Sequence, residues 1–243
     1  MIIVEQISKS FKDTKVLNKI SFDIKKGDFT AVMGPSGSGK STLLYSVSGM
    51  DRISEGSVIF NDVNITRLQE SELSKFRLLK MGFVFQNTQM LKNLTIFDNI
   101  ILPGLVAKKE SSEKIRMRAS KLMAQMEITG IENRDMKEVS GGQLQRASIC
   151  RAMINYPEIL FLDEPTGALN SESTDQVLEI LTLLNRTGMT IMIVTHDSRV
   201  AAKAKKVLYI SDGEIAACKE FKTDTNRLLE LDNWLKGLRS LSK

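Results

Sequence analysis

Residues 29–49 read FTAVMGPSGSGKSTLLYSVSG, and this stretch decides the fold. Residues 29–33 form a short apolar run after a Lys-Gly-Asp turn, the pattern of a buried strand. Residues 34–42, GPSGSGKST, then fit G-x-x-x-x-G-K-[ST] between that strand and a helix that ends near Gly49, the context this pattern requires. Gly34, Gly37 and Gly39 let backbone N–H groups turn inward around phosphate oxygens. Pro35, Ser36, Ser38 and Thr42 complete the candidate phosphate-binding set, and the following helix adds its positive amino-terminal end. Lys40 is placed to reach β- and γ-phosphates, and Ser41 supplies a hydroxyl for Mg²⁺.

Upstream of this loop, residues 1–8 and 20–25 alternate as strands, with a break expected at Asn18–Lys19. Downstream, GSVIFNDVNITRL has β-branched runs around an Asn-Asp pair and predicts a hairpin. Residues 70–80 read as a helix, and GFVF at 82–85 as a buried strand. From 88 to 155 the texture changes. Pro103–Gly104 breaks the pattern, and residues 111–128 form a helix with Ile115, Leu122, Met123 and Met126 on its apolar face. Ser112 is the expected cap. A second helix covers 143–154, with Ser140 capping the glycine pair ahead of it. After Pro157 the strands ILFL (159–162), TIMIV (190–194) and VLYI (207–210) alternate with helices, which argues for a mainly parallel sheet. Residues 224–243 carry Leu228, Leu231, Trp234, Leu235, Leu238 and Leu241 at helical spacing, with Asp224 or Thr225 as cap. That apolar face packs either on the protein's own core or on a membrane-embedded partner.

Four further groups carry chemistry. ILFLDEP at 159–165 is a strand ending in two carboxylates. Asp163 can hold Mg²⁺ through water, and Glu164 can polarise an attacking water as general base. His196, the one histidine of the chain, follows TIMIV, and Gln86 directly follows GFVF. Both therefore stand at the carboxyl ends of buried strands, where α/β sheets place ligands. Ser140, Gly141, Gly142 and Gln143 open a helix 23 residues before Asp163 and form a second anion-binding terminus.

Together these groups resemble the ATP-binding cassette (ABC) family over about residues 1–218, in the family's own order: aromatic Phe11, phosphate loop, Gln86, SGGQ, acid pair, His196. The resemblance implies an α/β fold: a phosphate-loop ATPase core with a mainly parallel sheet, an amino-terminal antiparallel β subdomain and a helical subdomain inserted at about 88–155. Residues 219–243 would form a carboxyl-terminal helical tail. It implies ATP and Mg²⁺ as cofactors, and a head-to-tail homodimer with ATP between the phosphate loop of one chain and Ser140–Gly141–Gly142 of the other. It also implies that Phe11 stacks on adenine, that Gln86 senses Mg²⁺ and water, and that His196 holds the γ-phosphate. The remaining partner is an integral-membrane permease, which would hold the chain peripherally at the cytoplasmic face of the membrane. Three positions depart from the commonest pattern: Phe11 for Tyr, Val139 for Leu, and Asn170 in GALN where Asp is usual. PTGALNS and the stretches 49–65 and 81–103 look like the subgroup of bacitracin-type peptide-resistance, macrolide-export, lipoprotein-releasing and cell-division ATPases, the bacitracin type first.

Composition narrows the alternatives. The 243 residues are 42% hydrophobic and 26% charged, which excludes collagen-like and disordered classes. No apolar run approaches the roughly 18 residues of a membrane helix, so no direct lipid insertion is expected. The amino terminus lacks signal-peptide character, which makes the cytosol the expected compartment. Cys150 and Cys218 have no metal or disulfide spacing. A net charge of +5 without aromatic-interleaved basic blocks gives no expectation of nucleic acid. A soluble cassette acting on DNA or ribosomes would usually carry coiled-coil insertions, zinc modules or a second cassette. A GTP switch would carry an NKxD motif, whereas NKI at 18–20 lacks the acid. A catalytically dead cassette fits poorly with an intact Glu164 and His196.

Overall fold

A computed structural model of the chain describes residues 1–223 and 225–241. Its strands are β1 (Ile2–Phe11), β2 (Thr14–Ile24), β3 (Phe29–Met33), β4 (Glu55–Phe60), β5 (Val63–Asn64), β6 (Met81–Phe85), β7 (Ile159–Asp163), β8 (Thr190–Val194), β9 (Lys206–Ser211) and β10 (Glu214–Glu220). Its helices are α1 (Lys40–Val47), α2 (Glu70–Lys80), α3 (Ile96–Ala107), α4 (Ser112–Gln125), α5 (Gly141–Met153), α6 (Ser171–Arg186), α7 (Ser198–Ala201) and α8 (Arg227–Leu241). The strands form a four-stranded sheet in the order β2-β1-β4-β5 and a six-stranded sheet in the order β10-β9-β3-β8-β7-β6. The first is antiparallel throughout. In the second, β9, β3, β8, β7 and β6 run parallel, and only β10 turns back on β9. The expected α/β architecture, with its antiparallel amino-terminal sheet and mainly parallel core, is therefore present.

The central strands FTAVM, ILFLD and TIMIV are apolar because both of their faces are covered. Alternate residues divide between two cores. Ala31, Leu160, Leu162, Ile191 and Ile193 join one that includes α3, α4, α5, α6 and α8. Val32, Phe161, Met192 and Val194 join the other, with α1 and the antiparallel sheet. Ile115, Ala119 and Met123 of α4 are buried as the periodicity predicts, and Leu122 lies at the edge of that core.

Several local expectations need correction. β2 does not break at Asn18–Lys19: Lys19 takes φ 47° where the β1–β2 pairing shifts register, and its N–H donates to Ser8 Oγ at 3.1 Å. Ser111, not Ser112, caps α4 by accepting from Lys114 N. Pro103–Gly104 is no break, because both lie inside α3. Ile115 of α4 packs directly over Gly104, and the Pro103 carbonyl accepts from Asn155 Nδ2 at 3.1 Å. At the other end, β10 runs through the expected join at 218/219. Asp224 lies outside the described residues, and α8 begins after Thr225, at Arg227. Leu231 and Leu235 are buried in the first core, and Trp234 meets Tyr209 edge-on at 6.3 Å. The segment 231–235 thus packs on its own chain, while Leu228 is exposed and the Leu241 side chain lies outside the described residues.

Asn99 of α3 is 1% exposed and holds the loop ahead of its helix. Its Oδ1 accepts from Leu91 N at 2.7 Å, and its Nδ2 donates to the carbonyls of Leu91 and Thr95 at 3.1 and 3.0 Å. Asn99→Ala leaves those backbone groups without the amide and is predicted to cost about 1–3 kcal/mol. Thermal melts should show a midpoint several degrees lower; an unchanged midpoint would mean water replaces the amide at no cost.

Candidate functional site

Strand register sets the level of every loop at the site. Phe85 pairs with Asp163, Asp163 with Val194, and Val194 with Val32. The residues just beyond this row are Gln86, Glu164, Thr195–His196 and Met33–Gly34, so one sheet edge gathers the phosphate loop, the acid pair, Gln86 and His196. Parallel strands joined by crossover helices put their carboxyl ends on one side, and that is where such sheets bind ligands.

In the phosphate loop, Gly34 has φ 151°, and a Cβ there would stand 2.0 Å from the Ile210 carbonyl oxygen. Only glycine lets the chain leave β3 beside β9 this closely. Pro35 and Ser36 follow, and Ser38 N donates to Pro35 O at 3.3 Å. Lys40 Nζ donates to the Pro35 carbonyl at 2.7 Å, folding the ammonium group back over the loop. The Ser38 hydroxyl is buried and has no hydrogen-bond partner among the described residues. A buried hydroxyl left without a partner on this loop is an unmet polar group that a bound oxygen-rich anion could satisfy.

Ser41 Oγ donates to Asp163 Oδ1 at 2.9 Å, so the loop hydroxyl and the strand-end carboxylate share one spot. The Tyr45 hydroxyl donates to the second oxygen, Oδ2, at 2.6 Å. Burial, and then the hydrogen bond and charge of Asp163, push the Tyr45 phenol well above its usual pKa, so it remains a donor. No group of three or more His, Cys, Asp or Glu side chains able to hold a metal stands among the described residues. Two oxygen donors alone fit Mg²⁺, which keeps several waters and takes its other ligands from phosphates.

Glu164 sits at φ 47°, held by its N–H on Val194 O at 3.0 Å. Its carboxylate is only 18% exposed, whereas the His196 ring is 71% exposed, and His196 Nδ1 lies 2.9 Å away. This pair sets a half-buried carboxylate against an imidazole that opens to solvent. The Gln86 amide lies over Gly167 of the loop that follows Glu164. Phe11, at the end of β1, is 49% exposed, with Lys9 Nζ 4.6 Å from its ring centre. Its open face is a flat stacking surface.

The Ser140 turn is built as a capping box. Gln143 N donates to Ser140 Oγ at 3.2 Å, while Ser140 N donates to Gln143 Oε1 at 3.0 Å. A Cβ on Gly142 would stand 2.6 Å from Ser173 Oγ, so glycine is required for α5 to approach α6. Asn170 caps α6, its Oδ1 accepting from Ser173 N at 2.9 Å. Among the described residues no hydrogen bond joins residues 34–42 to 140–143; the chain does not close its two glycine-rich turns on each other.

Sequence reasoning missed Tyr45, Gln145 and Arg151. Tyr45 stands four residues after Ser41 on α1, a spacing that shares one helix face and could have revealed it. Gln145 Nε2 donates to Phe85 O at 3.3 Å, and Arg151 donates to the carbonyls of Gln89 and Thr88, so α5 holds the loop that carries Gln86. Neither partner is close in sequence. Cys150 is buried, and burial pushes its thiol up to about 12, which makes it inert packing.

The ABC transporter family profile matches residues 17–167. The macrolide export ATP-binding/permease protein MacB of Campylobacter jejuni is 42% identical over 88% of this chain, which spans 33% of that protein's length. The ABC transporter ATP-binding protein YxdL of Bacillus subtilis is 43% identical, covering 88% of this chain and 85% of the relative. The lipoprotein-releasing system ATP-binding protein LolD of Leptospira interrogans is 37% identical over 91% of this chain and 93% of its own. Among solved structures, a dimeric ATP-binding cassette in a post-hydrolysis state, bound to ADP and Pi, superposes with a TM-score of 0.86 at 34% identity, over 92% of this chain and all of the other. A profile match across both the phosphate loop and the acid pair, with relatives covered over nearly their whole length, makes this chain a member of the ABC transporter family, as an ATP-binding cassette.

Proposed function

We propose that this chain binds ATP with Mg²⁺ and hydrolyses it as the ATPase subunit of a membrane transporter. The observation that carries this reading is the shared row Val32–Val194–Asp163–Phe85, from which the phosphate loop, His196, Glu164 and Gln86 all emerge at one level. The backbone of residues 34–39 wraps the phosphates, and Lys40 leaves the Pro35 carbonyl to pair with them. Phe11 stacks on the base. Ser41, Asp163 and Gln86 would hold Mg²⁺, which would supply Lewis-acid neutralisation of the phosphate charge. Glu164 accepts a proton from the attacking water, and His196, on the same carboxylate, holds the terminal phosphate. Ser140, Gly141, Gly142 and Gln143 of a second copy cover the nucleotide in a head-to-tail dimer.

The partner is an integral-membrane permease. A cleft of about 460 Å³ lies between the sheet and the inserted helices, lined in part by Met50, Leu78, Phe83, Phe85, Leu102 and Arg151. It is the proposed docking seat, walled in part by Leu91, Leu102 and Pro103 of the segment 86–105, with the loop 134–138 leading into the Ser140 turn. Among the described residues no helix is long and apolar enough to cross a membrane, so the proposed attachment is peripheral, at the cytoplasmic face through the permease. The cassette is taken to run to the end of β10 at residue 220, with helices within 88–155 as the insertion and the residues after 220 as an appended tail. Resistance to antimicrobial peptides of the bacitracin type is the proposed process. The second reading is macrolide export or lipoprotein release, favoured by the names of the MacB and LolD relatives. Copurification of the membrane subunit, followed by peptide and macrolide susceptibility of a deletion strain, separates them.

Three outcomes test the site. Glu164→Gln keeps hydrogen bonding and removes basicity; turnover is predicted to fall by about 10²–10⁴ while ATP still binds and traps a dimer, seen by size exclusion. Near-normal hydrolysis by this variant would remove Glu164 from the role. Lys40→Ala should weaken nucleotide binding, whereas Ser140→Ala should leave binding to the single chain intact and abolish hydrolysis; equilibrium titration with a fluorescent nucleotide distinguishes the two. Asn170→Asp preserves the cap of α6, since either side chain accepts from Ser173 N, and a carboxylate is favourable at a helix start. Turnover is therefore predicted to change by less than about tenfold, or about 1.4 kcal/mol in barrier. Steady-state rates showing a loss beyond a hundredfold would make the amide itself a requirement.

A further inference from the structure

Both oxygens of Asp163 are engaged by one face of α1. Ser41 Oγ takes Oδ1 at 2.9 Å and the Tyr45 hydroxyl takes Oδ2 at 2.6 Å. The phosphate-loop pattern ends at residue 42 and demands nothing at position 45. A tyrosine placed there only to fill space would not need its hydroxyl on the carboxylate. The ring is also fixed: its centroid lies 6.4 Å from that of Phe85, which stacks on Phe83 at 6.2 Å, and Phe83 stacks in turn on the buried Phe161 at 5.6 Å.

We propose that Tyr45 is a positioning residue for the metal side of the nucleotide site: its hydroxyl anchors Oδ2 of Asp163 and leaves Oδ1 aimed, with the Ser41 hydroxyl, at the cation. The inference rests on the Mg²⁺–ATP reading given above. The two donors on Asp163 differ in what they can do when a cation arrives. The Ser41 hydroxyl turns about a single side-chain torsion and can offer its lone pair. The phenol cannot leave Oδ2 without moving a ring packed between α1 and β6. A carboxylate pinned through one oxygen has less rotational freedom to lose when the other engages, and such support of a ligand typically changes metal affinity by 10–100-fold. Because Phe83 and Phe85 also line the proposed docking cleft, the anchor of Asp163 rests on a wall that the membrane partner would touch.

Tyr45→Phe keeps the ring and removes one oxygen atom. Mn²⁺ titrations followed by electron paramagnetic resonance, with the non-hydrolysable analogue AMPPNP bound to the purified protein, read cation affinity without turnover. The affinity of the AMPPNP complex for Mn²⁺ should fall by about tenfold, while AMPPNP affinity measured in EDTA changes by less than about twofold. In steady-state assays the Mg²⁺ concentration for half-maximal rate should rise by a similar factor, with kcat at saturating Mg²⁺ within about threefold of the parent. Unchanged Mn²⁺ affinity overturns the proposal. So does an equal loss of AMPPNP affinity in EDTA, which would mark Tyr45 as general support of the pocket. If the parent protein itself takes up neither AMPPNP nor Mn²⁺, the nucleotide-site reading fails, and that result is distinct from a failure of Tyr45.

Discussion

The pairing register of β3, β8, β7 and β6 is the constraint on which the site depends. A slip by one residue in any of these strands would exchange the two cores, sending Leu160 and Leu162 where Phe161 now packs. A slip by two would keep the faces but displace Asp163 by about 6.6 Å along its strand. Its 2.9 Å contact with Ser41 would then be lost. Burial on both faces forbids the first error, and the polar contacts at the strand ends disfavour the second. The apolar strands and the polar loops thus specify one alignment between them.

This division explains what was legible in the sequence. Strands β3, β7 and β8 are short apolar runs, and the candidate site residues follow within two positions, so the location of Gly34, Glu164 and His196 at one sheet edge could be read from pattern. Ser140 could be assigned as a cap from the glycine pair that opens the helix behind it, and Gln143 completes the box. What was missed depends on contacts distant in sequence. Tyr45 meets Asp163 across 118 positions, and Arg151 meets Gln89 across 62. Pro103 looked like a helix breaker, yet α3 continues through it, with α4 packed over Gly104 and Asn155 bonded to the Pro103 carbonyl. Tertiary contacts there outweigh a local preference worth about 3 kcal/mol. The tail's apolar stripe was evident, but a stripe does not name the surface it covers.

Within one chain the Ser140 turn and the acid loop belong to a single body. Gly142 lies against Ser173, Asn170 caps the helix that carries Ser173, and the loop from Glu164 leads into Asn170. Leu169 also reaches the Gly141 backbone. The Ser140 turn therefore cannot swing alone onto residues 34–42 without tearing the α5–α6 contact. In the arrangement proposed above, the turn of a second chain would cover the phosphate loop while the α5–α6 contact is kept. The proposed head-to-tail dimer would use both glycine-rich turns with this contact kept.

The loop after β6 gives the route by which closure could be felt outside the site. Its first residue, Gln86, touches the loop behind Glu164 through Gly167. The strand just before it presents Phe83 and Phe85 to the cleft, and the residues just after it are held by Arg151 and Asn99. A displacement of Gln86 must therefore move Thr88 and Gln89, which are tied to α5, or strain Asn99, whose amide is already committed to Leu91. Because α5 begins at the Ser140 turn, the same helix carries both that turn and the anchor of the Gln86 loop. The two ends of α5 are joined by a single thirteen-residue helix about 20 Å long, so a shift at one end is carried towards the other.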